Sequence, residues 1–134
     1  LTSLVGSEMC IRDRFKTYHE NVGVVTSASN VVTLDLSSAQ TFTLTVDEEI
    51  LSFKLTNPPS GSTAFTVKIL QDSTGYSVGI DTFNDNGGSA IPVYWPAAVT
   101  PEVTTTASKT DIYSFMTFDS GSSLYGVVGG QNFA

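Results

Sequence analysis

From Asn30 onward, apolar and hydroxyl-bearing residues alternate one for one, and this period of two confines the chain to β-structure. Successive side chains of a strand point to opposite faces, so Gln40 to Val46 sends Phe42, Leu44 and Val46 one way and Thr41, Thr43 and Thr45 the other. β-Branched and aromatic residues fill the alternating positions, as a half-buried pleated surface prefers. Ile50 to Thr56 repeats the pattern, with Leu51, Phe53 and Leu55 expected inward against Ser52, Lys54 and Thr56. Thr63 to Gln71 places Phe65, Val67 and Ile69 inward, with Thr66, Lys68 and Leu70 outward. The polar run Asp47-Glu48-Glu49 between the first two segments predicts a turn and hence a hairpin. Asn57-Pro58-Pro59-Ser60-Gly61 cannot continue a ladder, because proline donates no hydrogen bond and glycine permits positive φ.

Further strands are expected at Val31–Leu36, Tyr76–Ile80, Ile91–Trp95, Asp111–Phe118 and Leu124–Val128, each bounded by Asp, Asn, Ser, Gly or Pro. About 7–8 short strands with regular turn signals predict an all-β fold, an antiparallel β-sandwich or jelly-roll-like module over residues 30–134. A parallel α/β fold is excluded by the lack of an amphipathic segment long enough to serve as a crossover helix. At 134 residues the chain has the length of one domain and buries a sizeable core without disulfides or metals. Residues 15–29 read as an irregular lead-in or linker. The first fourteen, LTSLVGSEMCIRDR, share neither the alternation nor the composition of the rest. They resemble translated read-through of a sequencing adapter, so residues 1–14 are expected to be non-native and the natural chain to extend upstream of Phe15.

A net charge of −7 argues against nucleic acid, whose affinity is built on Lys and Arg displacing counterions. No apolar run approaches the length that spans a bilayer, so no membrane partner is expected. Cys10 is the sole cysteine and is expected to be an inert thiol. His19 is the sole histidine, which leaves no histidine-based triad or metal cluster, and no nucleophile elbow or phosphate-binding loop occurs. Asp81, Asp85, Asp111 and Asp119 lie at strand ends or turns, where aspartate bonds to the backbone. No catalytic residue, cofactor or metal is therefore assigned. Asp81, Asn84, Asp85 and Asn86 carry the hard oxygens calcium takes, but their spacing does not match the helical calcium loop. With Tyr94, the exposed neighbour of a core-anchoring Trp95, they form the candidate ligand-binding set. Gly126 to Gly130 reads as a terminal strand approached closely by other parts of the chain.

The second half carries an ordered set of motifs: Pro59-Ser60-Gly61 before a Phe-containing strand, Trp95-Pro96, the Lys-x-Asp-x-x-x-Phe strand Lys109–Phe115, and a closing Tyr-Gly-x-x-x-Gly-Gln-x-Phe at Tyr125–Phe133. In this order they resemble the C-terminal module of phage tail-fibre and other virion structural proteins, many from marine phages, over roughly Asn30 to Ala134. Two departures are Asp119-Ser120-Gly121 in place of Asp-Gly-Gly, and the extra Phe83-Asn84-Asp85-Asn86-Gly87-Gly88 before Trp-Pro. The resemblance implies a non-catalytic structural or assembly module in the virion, with other virion proteins as partners and a homo-oligomeric state, commonly a trimer in fibre-type proteins. Its alternative is a receptor-binding module at a fibre tip that recognises a host surface glycan; a polysaccharide-cleaving enzyme is the third reading and would need two carboxylates in one cleft.

Overall fold

In the computed structural model, residues 19–134 are described. The expectations for residues 1–14, Cys10 included, and for the first residues of the lead-in lie outside them. The chain is mostly β: β1 Val22–Val25, β2 Ser27–Ala28, β3 Val31–Asp35, β4 Thr41–Val46, β5 Ser52–Thr56, β6 Thr63–Gln71, β7 Phe83–Asn84, β8 Ala90–Ile91, β9 Val93–Tyr94, β10 Thr110–Thr117 and β11 Leu124–Phe133. They form a six-stranded sheet, β1-β4-β6-β10-β11-β9, and a five-stranded sheet, β2-β3-β5-β7-β8.

Both sheets are mixed, which corrects the antiparallel expectation. β2 and β3 are an antiparallel pair in the five-stranded sheet; from β3 to β7 the chain alternates between the sheets, and each return lands beside and parallel to the strand last laid there. Thus β1, β4 and β6 run parallel in one sheet, while β3, β5 and β7 run parallel in the other. The path is a flattened coil, closed by the antiparallel partners β10, laid against β6, and β11, laid against β10.

The expected β4–β5 hairpin does not form. The acidic run 47–49 carries the chain from one sheet to the other, so β4 pairs with β1 and β6, and β5 with β3 and β7. Within the lead-in, Val22–Val25 and Ser27–Ala28 are strands rather than irregular. Tyr76 to Ile80 is not a strand and contributes only a bridge from Val78 to Ile50.

Between the sheets, the inward residues of both make one apolar core. Its centre is a run of rings: Phe53 stacks on Phe83 at 5.2 Å, Phe83 meets Phe115 at 4.9 Å, and Phe115 stacks on Phe65 at 5.2 Å. Trp95 closes one side, with its ring edge-on to Phe115 at 5.6 Å. Full burial of rings this size contributes roughly 1.5–3 kcal/mol each. The inward sets of β4 and β6 are as the alternation predicts. In the 50–56 segment Phe53 and Leu55 are buried, but Leu51 is exposed and Ile50 takes the inward place. The amides of Leu51 and Ser52 both donate to the Asn30 carbonyl, at 2.8 and 3.4 Å. Two successive donors on one acceptor mark a bulge, and that extra residue inverts the alternation before β5 begins.

Candidate functional site

The five residues expected to form a ligand site are not brought together. Asp81 borders a cleft near Val78, Pro101 and Val103. Asn84 belongs to β7 and pairs with Ala90 of β8. Phe83 before it is in the core, so the inserted segment 83–88 is half hairpin and not a free loop. Asp85 caps the hairpin tip: its Oδ1 accepts the Ser89 amide at 2.8 Å, and its backbone carbonyl accepts the Gly88 amide at 3.0 Å. Asp85 and Asn86 line a cleft of about 440 Å³ with Asn57, Pro58, Ser120 and Ser122, away from Tyr94. Tyr94 borders a different trough, with Trp95, Pro96, Tyr125, Gly126 and Val127. Among the described residues no three or more His, Cys, Asp or Glu side chains converge as a metal site would need.

Asp111, of the Lys-x-Asp-x-x-x-Phe strand, is buried and serves the framework. Its Oδ2 accepts the Thr104 amide at 2.7 Å and the Tyr113 hydroxyl at 2.9 Å, and its Oδ1 accepts the Asn132 amide at 2.8 Å. Gln131 Nε2 donates to the Tyr113 hydroxyl at 2.7 Å and to the Glu102 carbonyl at 2.6 Å. Burial pushes the Asp111 carboxyl upward, but the donors from Thr104, Asn132 and Tyr113 outweigh it and hold the group below the ordinary carboxylate range. The same burial and the adjacent carboxylate push the Tyr113 phenol well up, so it stays protonated as a donor. The two motifs nearest the C-terminus are therefore one hydrogen-bonded unit that also anchors the segment 102–104.

Outward positions of the six-stranded sheet tell a different story. Across β1, β4, β6, β10, β11 and β9 they carry valine, threonine, serine, aromatic and other apolar side chains, and Lys68 is the one charged residue among them. The carboxylates stand in the turns and at the margins; Glu20, two residues before β1, for example, accepts the Thr41 hydroxyl on its Oε2 at 3.0 Å. Register fixes the rows. Val22, Thr41, Thr66, Ser114 and Val127 stand in line across five strands, with Thr66 Oγ1 and Ser114 Oγ 2.8 Å apart. On β1, Val24 is 82% exposed and Val22 55%.

A second row crosses β6, β10, β11 and β9 as Ala64, Met116, Tyr125 and Tyr94. Phe118, one step further along the outward face beyond β10, joins it. The Tyr94 and Tyr125 ring centres are 5.4 Å apart and those of Tyr125 and Phe118 5.9 Å. All three rings are substantially exposed. Trp95 lies beneath, against Gly126, where a Cβ would stand 2.5 Å from its ring. The sequence reading singled out Tyr94 and missed its neighbours. Continuing the alternation of Asp111–Phe118 puts Met116 and Phe118 on the outward face, but only the register brings Tyr125 and Tyr94 beside them.

Comparison of the chain with protein-family models, with curated proteins and with solved structures finds no match.

Proposed function

We propose that the chain is a non-catalytic structural module of a phage virion appendage that assembles with further copies of itself through the β1–β4–β6 half of the outward sheet face. The observation that carries this reading is the distribution of charge. The chain is net negative, yet across those three strands valines and threonines face outward and Lys68 alone is charged. Two copies of an acidic protein repel wherever their carboxylates meet. With Glu20 at its end as the carboxylate nearest to it, this half-face is where they approach with the least of that repulsion, and its exposed valines supply apolar area to bury. The ordered motifs of the second half support the virion setting, and Asp111, Asp119 and Asp85 are engaged in framework and turn hydrogen bonds.

Size-exclusion chromatography with light scattering tests the assembly. The chain is expected to run as a homo-oligomer, and Val24→Glu with Thr43→Glu to run as a folded monomer. A wild-type protein that stays monomeric at its highest soluble concentration overturns the reading.

A further inference from the structure

The tip of the β7–β8 hairpin carries Asn86-Gly87, the one place in the chain where glycine follows asparagine. Asn21 and Asn30 precede valine, Asn132 precedes Phe133, Asn84 precedes Asp85, and Asn57 precedes Pro58, whose nitrogen has no hydrogen to give up. Asparagine is labile because its side-chain carbonyl carbon lies within reach of the next backbone nitrogen, and a glycine leaves that nitrogen unshielded. We infer that Asn86 is a modification site, at which the folded hairpin tip cyclises onto Gly87 and reopens to isoaspartate and aspartate. The site belongs to the five-stranded sheet, so the inference does not rest on the assembly reading.

The fold leaves room for the reaction. Asn86, Gly87 and Gly88 are all exposed. Three bonds hold the tip: the Asp85 amide donates to the Ser89 carbonyl at 2.8 Å, the Gly88 amide to the Asp85 carbonyl at 3.0 Å, and the Ser89 amide to Asp85 Oδ1 at 2.8 Å. Among the described residues, neither the Gly87 amide nor the Asn86 side chain takes part in a hydrogen bond. A Cβ at Gly87 would meet nothing nearer than Asp85 Oδ1 at 3.4 Å, and one at Gly88, where φ is +90°, would have no neighbour within 4 Å. No packed side chain therefore blocks the swing of the Asn86 carboxamide. The swing strains only the turn bond from Gly88 to Asp85, and opening one exposed turn bond lies at the low end of the local-unfolding scale. Other asparagines are held: Asn84 pairs with Ala90 in the ladder, and the Asn30 side chain donates to the Glu49 carbonyl at 2.7 Å.

In the first step hydroxide takes the Gly87 amide proton, the nitrogen adds to Asn86 Cγ, and Nδ2 leaves as ammonia with a proton from water, closing a five-membered imide. In the second, water adds to one imide carbonyl and breaks its bond to nitrogen. Opening at Cγ gives aspartate with an ordinary backbone; opening at the backbone carbonyl leaves the chain linked through the side chain, as isoaspartate. One water is consumed, one ammonia is released, and nothing is oxidised or reduced. Either product adds a carboxylate beside Asp85, the one charged side chain among the described residues that line the cleft of about 440 Å³.

The test is incubation of the full chain at mildly alkaline pH, folded and in parallel in concentrated guanidinium chloride, followed by anion exchange, peptide mass mapping and labelling with an isoaspartate methyltransferase. The folded chain is expected to yield an acidic, methyl-accepting species with the amide-to-acid mass gain at residue 86, at a rate within about tenfold of that in the unfolded chain. Gly87→Ala should slow the conversion at least about tenfold, and Asn86→Ser should abolish it. Thermal melts confirm that the variants fold; should Gly87→Ala unfold, Asn86→Ser decides. A folded chain that stays unmodified while the unfolded chain converts overturns the proposal, because the hairpin then protects the site. An acidic species whose mass gain maps to another asparagine overturns it as well.

Discussion

The Tyr113 hydroxyl donates to Asp111 Oδ2 at 2.9 Å while accepting from Gln131 Nε2 at 2.7 Å. That relay joins a buried carboxylate on β10 to the end of β11, two strands whose hydrogen-bond register slips between Thr110 and Tyr113. Where the ladder is irregular, side chains supply the missing bonds, and the C-terminal residues are fixed by Asp111 as much as by pairing.

Replacing Asp111 by Asn turns an amide NH2 toward at least one donor that now meets an oxygen. Buried donors left without acceptors destabilise by about 1–3 kcal/mol each. Asp111→Asn is expected to lower unfolding free energy by roughly 2–3 kcal/mol in urea titrations, and protease trimming of the C-terminal residues should accelerate.

Acid should act through the same group. The Asp111 carboxyl lies below its ordinary value in the folded chain, as do Asp35, bonded by Ser37 and Asn57, and Asp119, bonded by Ser123 and Thr117. A folded-state value below the unfolded one gives stability that is complete above the unfolded value, near about pH 4, and is lost as pH falls through the folded one. Unfolding free energy should therefore decline from about pH 5 downward, and the decline should be shallower in Asp111→Asn. Equal slopes in the two proteins would contradict the assignment.

Gly126 has no space for a side chain, since Trp95 occupies it. Gly126→Ala must push the indole aside, and overpacking of this kind destabilises by about 1–3 kcal/mol. Because Trp95 is the sole tryptophan, its fluorescence should report the displacement directly, as a red shift in the folded protein.

Adjacent Ile50 and Leu51 give a sharp contrast. Ile50→Ala empties a core position and should be destabilising by about 2–4 kcal/mol. Leu51→Ser, at an exposed position, should change stability by no more than about 0.5 kcal/mol in the same urea titrations.

That contrast also shows what the sequence made legible. Alternation identified β4 and β6 and their inward residues correctly, because a strand paired on both sides and buried on one face reveals itself locally. It failed at Leu51, where one bulged residue shifts the phase without any Gly or Pro to announce it. Pairing was harder still: a run such as Asp47-Glu48-Glu49 has the polarity of a hairpin turn whether the chain folds back or passes to the other sheet. For the candidate site, Tyr94 and the buried role of Trp95 were readable from their opposite faces. Asp85 and Asn86 were readable as turn residues, but their distance from Tyr94 was not. The aromatic row was hidden because its members come from three separate stretches of chain that only register aligns.

The coiled path between the sheets has a kinetic consequence. Apart from the short β2–β3 and β7–β8 pairings, strands β1, β4 and β6, and likewise β3, β5 and β7, meet partners that are not their nearest neighbours in sequence. Each such contact requires an intervening segment to close first, and this loss of chain entropy is incurred before any reward arrives. Refolding should accordingly fall in the millisecond-to-second range of β-proteins dominated by distant pairings, with the β10–β11 ribbon as the longest local element available to nucleate it.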